Sequence, residues 1–411
     1  MQDKVQKMSP EIRFKGYTDA WVLRKLNDIG NTYNSLSGKS KEDFNHGDAH
    51  YVTYLNVFNN PVSSKNGIEK IEIDSKQQQV KYGDIFFTTS SETPEEVGMS
   101  SVWIYNIPNT YLNSFCFGYR LNVKYNLFFL SYVFRNIYFR KQIIKLAQGI
   151  SRYNISKKKV LQLSISIPKL GEQEAIGSLF KKFDDLIALQ QRKIDTLKLL
   201  KKALLQQMFP EKEEDIPKVR FTNFTVKWGQ QKLKSILILR NEQMTENKEY
   251  LLKSFVKNKG IISKSERYDR SFLLSNSNKK YKKTELSDFI YSSNNLETGS
   301  IGINRTGKAL ISPVYSIFYA KHHIYSEFIG LLSTKKKFIN DMIRLRQGVI
   351  YGQWKIRESD FLEIVVQMPS KSEMKFITNF MFNIDLAIDI YNKKLNKFRV
   401  VKESLLQKMF L

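Results

Sequence analysis

The chain has 411 residues, with 66 Lys and Arg against 40 Asp and Glu and a formal charge of +26. Hydrophobic residues make up 42% and aromatics 13%, which excludes a disordered basic tail, because such tails lack the apolar surface that offsets ordering entropy. A single cysteine, Cys116, excludes a disulfide framework and a thiolate metal site, and the length accommodates two or three domains.

The charge is spread along the chain, with 30 basic and 19 acidic side chains in residues 1–210 and 36 and 21 in residues 211–411. An excess in both halves points to a polyanionic partner touched by two surfaces; the alternative is a coding bias toward lysine, since 50 of the cations are Lys and 16 are Arg. Met1-Gln-Asp-Lys opens without the apolar run of a signal peptide. The most apolar stretches, 127–134 and 309–320, are short and interrupted by Ser or Pro, so a cytoplasmic chain with no membrane span is expected.

The first element is an entry motif, Pro10-Glu-Ile-Arg13-Phe14 followed by Trp21 and Lys25-Leu26. Short β-branched and aromatic runs at 85–89 and 102–107, set between Gly, Asn and Ser turns, read as strands. Residues 127–148 carry a helical pattern ending at Gln148-Gly149. After Pro168 the spacing predicts one long helix. Its stripe of Ile176, Phe180, Phe183, Ile187, Ile194, Leu197 and Leu204, with Gln190 and Lys201 between them, is the narrow seam of a coiled coil. The acidic segment 210–217, proline at both ends, stops that helix.

The chain then repeats itself. Pro217-Lys-Val-Arg220-Phe221, Trp228 and Lys232-Leu233 return the entry motif 207 residues on, and Asp84-Ile-Phe-Phe returns as Asp288-Phe-Ile-Tyr after 204. Strands are expected at 289–292 and 310–319, and a helix at 325–346 before Gln347-Gly348. From Pro369 the shift stays at 201, and the second seam is Ile377, Met381, Ile384, Ile388, Leu395, Phe398 and Leu405. Ser370 and Glu373 form an expected capping box. A shift that wanders and then locks predicts a variable α+β globular part followed by a length-constrained rod of about 37 residues, or about 55 Å.

Catalytic readings fail residue by residue. Gly302-Ile-Asn-Arg-Thr-Gly307-Lys308 has P-loop spacing, but Ala309 has no hydroxyl for Mg²⁺, so a tight turn is expected. His46, Asp48 and His50 lack a metalloprotease pattern, and His322 with His323 should point apart. Glu246 with Lys248 and Glu373 with Lys375 match a nuclease dipeptide that this Glu- and Lys-rich composition supplies by chance. Asn59-Asn60-Pro61-Val62 lacks the second proline and the aromatic of an adenine methyltransferase loop. No catalytic and no metal site is expected.

Binding features are clearer. Arg152, Tyr153, Lys157 and Lys158 in the first copy, and Arg346, Tyr351, Trp354 and Lys355 in the second, place cations and planar rings around a glycine turn, which suits phosphate contact. Ser90, Ser91, Ser292, Asn294, Asn295 and Arg305 are polar residues after strands, of the kind that read base edges.

Taken together, the entry motifs, Gly299-Ser-Ile-Gly302 with Ser312-Pro313-Val-Tyr315, the Gln-Gly turns and the Leu-Leu-Gln-x-Met-Phe helix ends resemble the specificity subunit of type I restriction-modification systems. The second helix opens Glu373-Met374 where that family prefers Glu-Gln, and the first copy lacks the Gly-Ser-Ile-Gly string. The resemblance implies a target-recognition domain at 1–170, a central coiled-coil helix at 171–209, a linker at 210–216, a second target-recognition domain at 217–369 and a distal helix at 370–411. It implies a non-catalytic subunit that reads a bipartite site in double-stranded DNA through its two domains, separated by two antiparallel helices. Two adenine methyltransferase subunits and two restriction motor-nuclease subunits would dock on it, carrying S-adenosylmethionine, ATP and Mg²⁺. The rival readings are an orphan or decoy DNA-binding scaffold and a stand-alone nuclease.

Overall fold

The computed structural model describes residues 9–211, 214–256, 260–263, 279–297, 299–350 and 353–411. Two helices of 38 residues organise it, α1 at Leu170–Gln207 and α2 at Lys371–Lys408. The chain divides into two units, Met1–Arg192 with Asn392–Leu411, and Lys193–Tyr391, so each unit takes half of each helix.

Each helix half is covered where its heptad stripe requires it. Ile176, Phe180, Ile194, Ile377, Met381, Ile384 and Leu395 are buried; Phe183, Ile187, Leu197, Leu204, Ile388, Phe398 and Leu405 are partly buried. In the first unit Lys402 of α2 pairs with Asp184 of α1, and Tyr132 donates to the same carboxylate at 2.5 Å. In the second unit Lys201 of α1 pairs with Asp385 of α2 at 2.5 Å. Both unions run antiparallel.

The Met-Phe end of each helix is an anchor in the core of the other repeat. Phe410 lies against Trp21, Phe129 and Phe180 with ring centroids 6.3, 5.7 and 5.7 Å away. Phe209 lies against Trp228 and Phe328 at 5.8 and 5.4 Å. The entry segments then pair with those helix ends: Ile12 N donates to Lys408 O, and Val219 N to Gln207 O, both at 3.0 Å. A buried Phe is worth about 1.5–3 kcal/mol, so each anchor is a large fraction of a unit's net stability.

Beneath each globular part, Arg13 and Arg220 grip the buried carboxylates of Glu172 and Glu373 through two nitrogens at 2.7–2.8 Å. The indoles of Trp21 and Trp228 add 3.2 and 3.3 Å bonds to the same two groups. This corrects the expected capping box. Ser370 Oγ does accept from Glu373 N, at 3.2 Å, but the Glu373 side chain turns to Arg220 and Trp228 rather than back to the helix end. It also takes Glu373 out of the nuclease-like dipeptide.

The globular parts are α+β and share a four-stranded antiparallel sheet. In the first unit its order is Gly30–Tyr33, Cys116–Leu121, Ile85–Thr88, Ser100–Val102; in the second it is Leu237–Leu239, Tyr315–Ala320, Phe289–Ser292, Ile301–Ile303. A two-stranded sheet joins each entry to the segment before its helix, Val22–Lys25 with Ser164–Ile167 and Gly229–Lys232 with Val365–Met368. The three-stranded sheets differ. Phe44–Val52 runs parallel to Thr110–Leu112, whereas Tyr281–Thr284 runs antiparallel to its neighbours Gln243–Met244 and Ala309–Ile311. These smaller sheets lie in the part of each copy where the sequence shift wanders.

Several expected bounds move. The run 127–148 is two helices, Leu127–Val133 and Ile137–Ile144, because Asn136 Oδ1 accepts from Phe139 N at 2.8 Å and starts a new helix. The run 325–346 likewise splits into His323–Leu332 and Lys336–Arg344. Of the stretch expected at 102–107 only Val102 is strand, the last residue of Ser100–Val102, and 310–319 is two strands, Ala309–Ile311 and Tyr315–Ala320. The rings of His322 and His323 stack at 4.6 Å rather than diverge, since His322 is the extended N-cap of its helix.

Candidate nucleic-acid interface

In the first unit, the loop after the main-sheet strand Ile85–Thr88, the loop before Cys116–Leu121 and the segment after Tyr153–Asn154 are fastened through Thr89. Its N and Oγ1 both donate to Phe115 O, at 2.9 and 2.8 Å, and its carbonyl accepts from Ile155 N at 3.0 Å. Ser90 and Ser91 then pair as a short strand with Asn154 and Tyr153. Gln148 and Asn154 exchange backbone bonds at 3.0 and 2.9 Å and close a hairpin. Gly149 turns it at φ +139°, where a Cβ would stand 2.0 Å from the Arg152 carbonyl; this explains the Gln-Gly signal.

The hairpin gathers Ser90, Ser91, Arg152, Tyr153 and Lys157. The serines are only 5 and 7% exposed, and Ser91 Oγ donates to Glu96, so they hold the hairpin in place. Arg152 is exposed, with its guanidinium 5.8 Å from the Phe115 ring centroid. Lys157 Nζ donates to Asn34 Oδ1 at 2.6 Å, and burial lowers its pKa. Lys158 next to it is exposed. Phe115, 52% exposed, and Ile150, 98% exposed, complete the surface and were not expected from sequence. The readable signal was an apolar residue inside each polar turn, Asn113-Ser-Phe115 and Gly149-Ile150-Ser151.

The second unit builds the equivalent place. Ser293 Oγ accepts from Ile356 N at 3.1 Å and Asn294 Oδ1 from Trp354 N at 2.6 Å, docking the strand Gln353–Lys355 beside Ser292. Trp354, 45% exposed, and the exposed Lys355 face outward there, with Asn295 also exposed. Arg346 is occupied: it chelates Glu297 at 2.6 and 2.7 Å, donates to Ser293 O at 2.8 Å, and holds the Glu297 pKa below its usual value. Ser292 is 2% exposed. Arg305 is engaged apart from this cluster, with Glu327 at 2.8 Å, and Tyr351 lies outside the described residues.

Other sites singled out in the sequence resolve into structure. Asn304 Oδ1 accepts from Thr306 N and Gly307 N at 3.0 and 3.1 Å, and Lys308 pairs with Glu249, so the P-loop-like segment does not fit a phosphate. His46 is bonded to Glu72 at 3.1 Å, and among the described residues no group of three His, Cys, Asp or Glu is placed to hold a metal. Cys116 is buried, which pushes its thiol pKa up and leaves it unreactive. No helix among the described residues is long and apolar enough to cross a membrane.

Exposed cations and planar rings around paired hairpins, repeated in two units, are what a sequence-reading surface needs. Residues 18–199 match the family described as type I restriction modification DNA specificity domain. This stretch is similar to such a specificity domain. Across the whole chain the fold is that of the S subunit from M. genitalium, with a TM-score of 0.60 at 14% identity over 98% of this chain and 99% of that one. A chain from a structure concerning complex assembly and conformational transition of the type I R-M system gives 0.51 at 13% identity over 96% and 98%. The HsdS subunit from Thermoanaerobacter tengcongensis gives 0.47 at 14% identity over 95% and 96%. No curated protein matches the sequence significantly. The four-stranded sheet order and the Arg-Trp-Glu clamp of the matched stretch recur in the second unit.

Proposed function

We propose that this chain is the sequence-reading subunit of a type I restriction-modification complex, with each repeat contacting one half of a bipartite duplex site. The observation that carries this reading is the recurrence of one loop cluster, Thr89 with Arg152 and Tyr153, then Ser293 with Trp354 and Lys355, on the same sheet of two repeats. Residues 1–170 and 217–369 act as the two target-recognition domains. Arg152, Lys158 and Lys355 neutralise phosphates, while Tyr153, Trp354 and Asn295 meet sugars and base edges.

A domain reading a few base pairs, at about 1–3 kcal/mol per mismatch, does not select one site in a genome by itself. Two covalently joined readers multiply their discrimination. The long helices set the unread spacer and carry two methyltransferase subunits, and the restriction motors join that assembly. S-adenosylmethionine, ATP and Mg²⁺ belong to those partners. Mapping methylated adenines across a genome with and without this chain tests the proposal. A bipartite motif that appears only with the chain supports it; an unchanged methylation map overturns it.

A further inference from the structure

We infer that Ile150 is an apolar wedge that enters the base stack of duplex DNA at the first half-site, an inference that rests on the DNA-reading role proposed above. Ile150 is 98% exposed, beyond any other large apolar side chain among the described residues. It sits at the tip of a hairpin that cannot easily yield. The Gln148–Asn154 bonds close the hairpin, Thr89 ties it to the sheet through Ile155, and the Gly149 turn leaves no room for a side chain beside Arg152.

A turn tip facing only water is best served by Asn, Asp, Ser or Gly, whose side chains bond the local backbone or tolerate its dihedrals. An isoleucine there is explained by a surface that covers it. Its surroundings select the partner. Arg152 is anchored over Phe115, itself 52% exposed, and Lys158 lies exposed nearby in sequence, so a cation and a flat apolar ring flank the tip. Aliphatic wedges flanked by cations that hold phosphates are the means by which proteins part a base step and kink a duplex, and isoleucine is one of the side chains used. The parted step would lie where the sequence unstacks most cheaply, so the wedge adds selectivity at a position that no hydrogen bond reads.

The test uses the full chain, with its methyltransferase if binding requires it, on the duplex recovered from methylation mapping, with 2-aminopurine placed at successive steps. The wild-type chain should brighten one step in the first half-site. Ile150→Ala should abolish that signal and weaken binding by about tenfold, with an unchanged melting temperature because the side chain is exposed. Ile150→Leu should keep both. Arg152→Ala should weaken binding yet still brighten the step at saturation. Tight binding by the wild-type chain with no brightened step, or full brightening by Ile150→Ala, overturns the wedge. So does normal DNA binding by Ile150→Ala with loss of methyltransferase co-purification, which would make Ile150 a protein contact. A wild-type chain that binds no duplex would instead overturn the DNA-reading role itself.

Discussion

Arg13 holds Glu172 through both carboxylate oxygens at 2.7 and 2.8 Å, joining the entry segment to the first turn of a helix that begins 157 residues later. Glu172 is 1% exposed, and Trp21 donates to it as well. Removing its charge leaves a guanidinium and an indole N–H without their acceptor. Glu172→Ala should therefore destabilise the first unit by about 3–5 kcal/mol, read as a shifted denaturation midpoint, and Glu373→Ala should do the same to the second. A midpoint within 1 kcal/mol of the wild type would mean that the clamp contributes little beyond packing.

A second relationship shows how the two repeats diverged without losing a contact. Asp84 is held by Tyr33 at 2.7 Å and by Arg120 at 2.7 Å, with the guanidinium 4.8 Å from the Tyr33 ring. In the second unit Asp288 accepts from Arg240 at 3.1 Å, and that guanidinium lies 5.0 Å from the Tyr319 ring. Tyr33 and Arg240 occupy the same place beside the sheet, as do Arg120 and Tyr319, so arginine and tyrosine have exchanged strands. Arg120→Tyr alone should cost about 2 kcal/mol, at the low end for a buried aspartate because Arg120 is half exposed. Adding Tyr33→Arg should recover most of it. A double variant no more stable than the single one would show that the exchange is not interchangeable in context.

The seam of the long helices was legible because a heptad stripe is a local, periodic signal, and Ile176, Phe180, Ile377 and Met381 all lie in it. The Arg-Trp entry was legible as a motif but not as a contact, since its glutamate partner is about 150 residues away and nothing local names it. Asn136 was misread because an asparagine within an apolar run looks like the interior of one helix, whereas its side-chain cap bond starts a second; His322 was misread because it is an extended N-cap rather than part of a regular element. Charge misled as well. Arg135 and Arg140 counted toward a polyanion-binding surface, yet they reach carbonyls of Ser100, Val57, Phe58, Glu95, Val97 and Gly98, and burial lowers both pKa values to about 10. Phe115 and Ile150 were passed over because apolar residues were assigned to core by default.

Lys335 gives a pH signature to the second unit. Its ammonium lies 4.7 Å from the Phe209 ring at the rim of a cavity of about 300 Å³ lined also by Trp228 and Phe338, and burial pushes its pKa down to about 8. The unfolded chain keeps the proton to higher pH than the folded one, so stability rises as pH climbs through about 8 toward the ordinary lysine range. Lys335→Met should flatten that part of the melting-temperature profile and raise stability below it. Identical slopes in both proteins between pH 8 and 10 would remove Lys335 as the cause.

Separate readers should fail separately. Arg152→Ala and Lys158→Ala should each lower affinity on every sequence and reduce the slope of log K against log salt by about 1, measured by fluorescence anisotropy. Trp354→Ala with Lys355→Ala should act on the second half-site alone, and grafting residues 217–369 from a relative should change that half-site and leave the first as it was. Mutual dependence, in which either change alters both half-sites in the methylation map, would contradict independent readers.

Spacer length is the most direct reading of the helices. Seven residues add about 10 Å to a helix, or about three base pairs. Because α1 and α2 run antiparallel, a heptad inserted after Gln190 alone would put Lys201 and Asp385, or Asp184 and Lys402, out of register and should chiefly destabilise the chain. A matching heptad after Tyr391 restores both pairs. The doubly inserted chain should therefore fold with near wild-type stability and direct its methyltransferase partners to a target whose two half-sites are unchanged while the unread spacer is longer by about three base pairs. An unchanged spacer in a folded, active double insertion would mean that something other than these helices measures the distance.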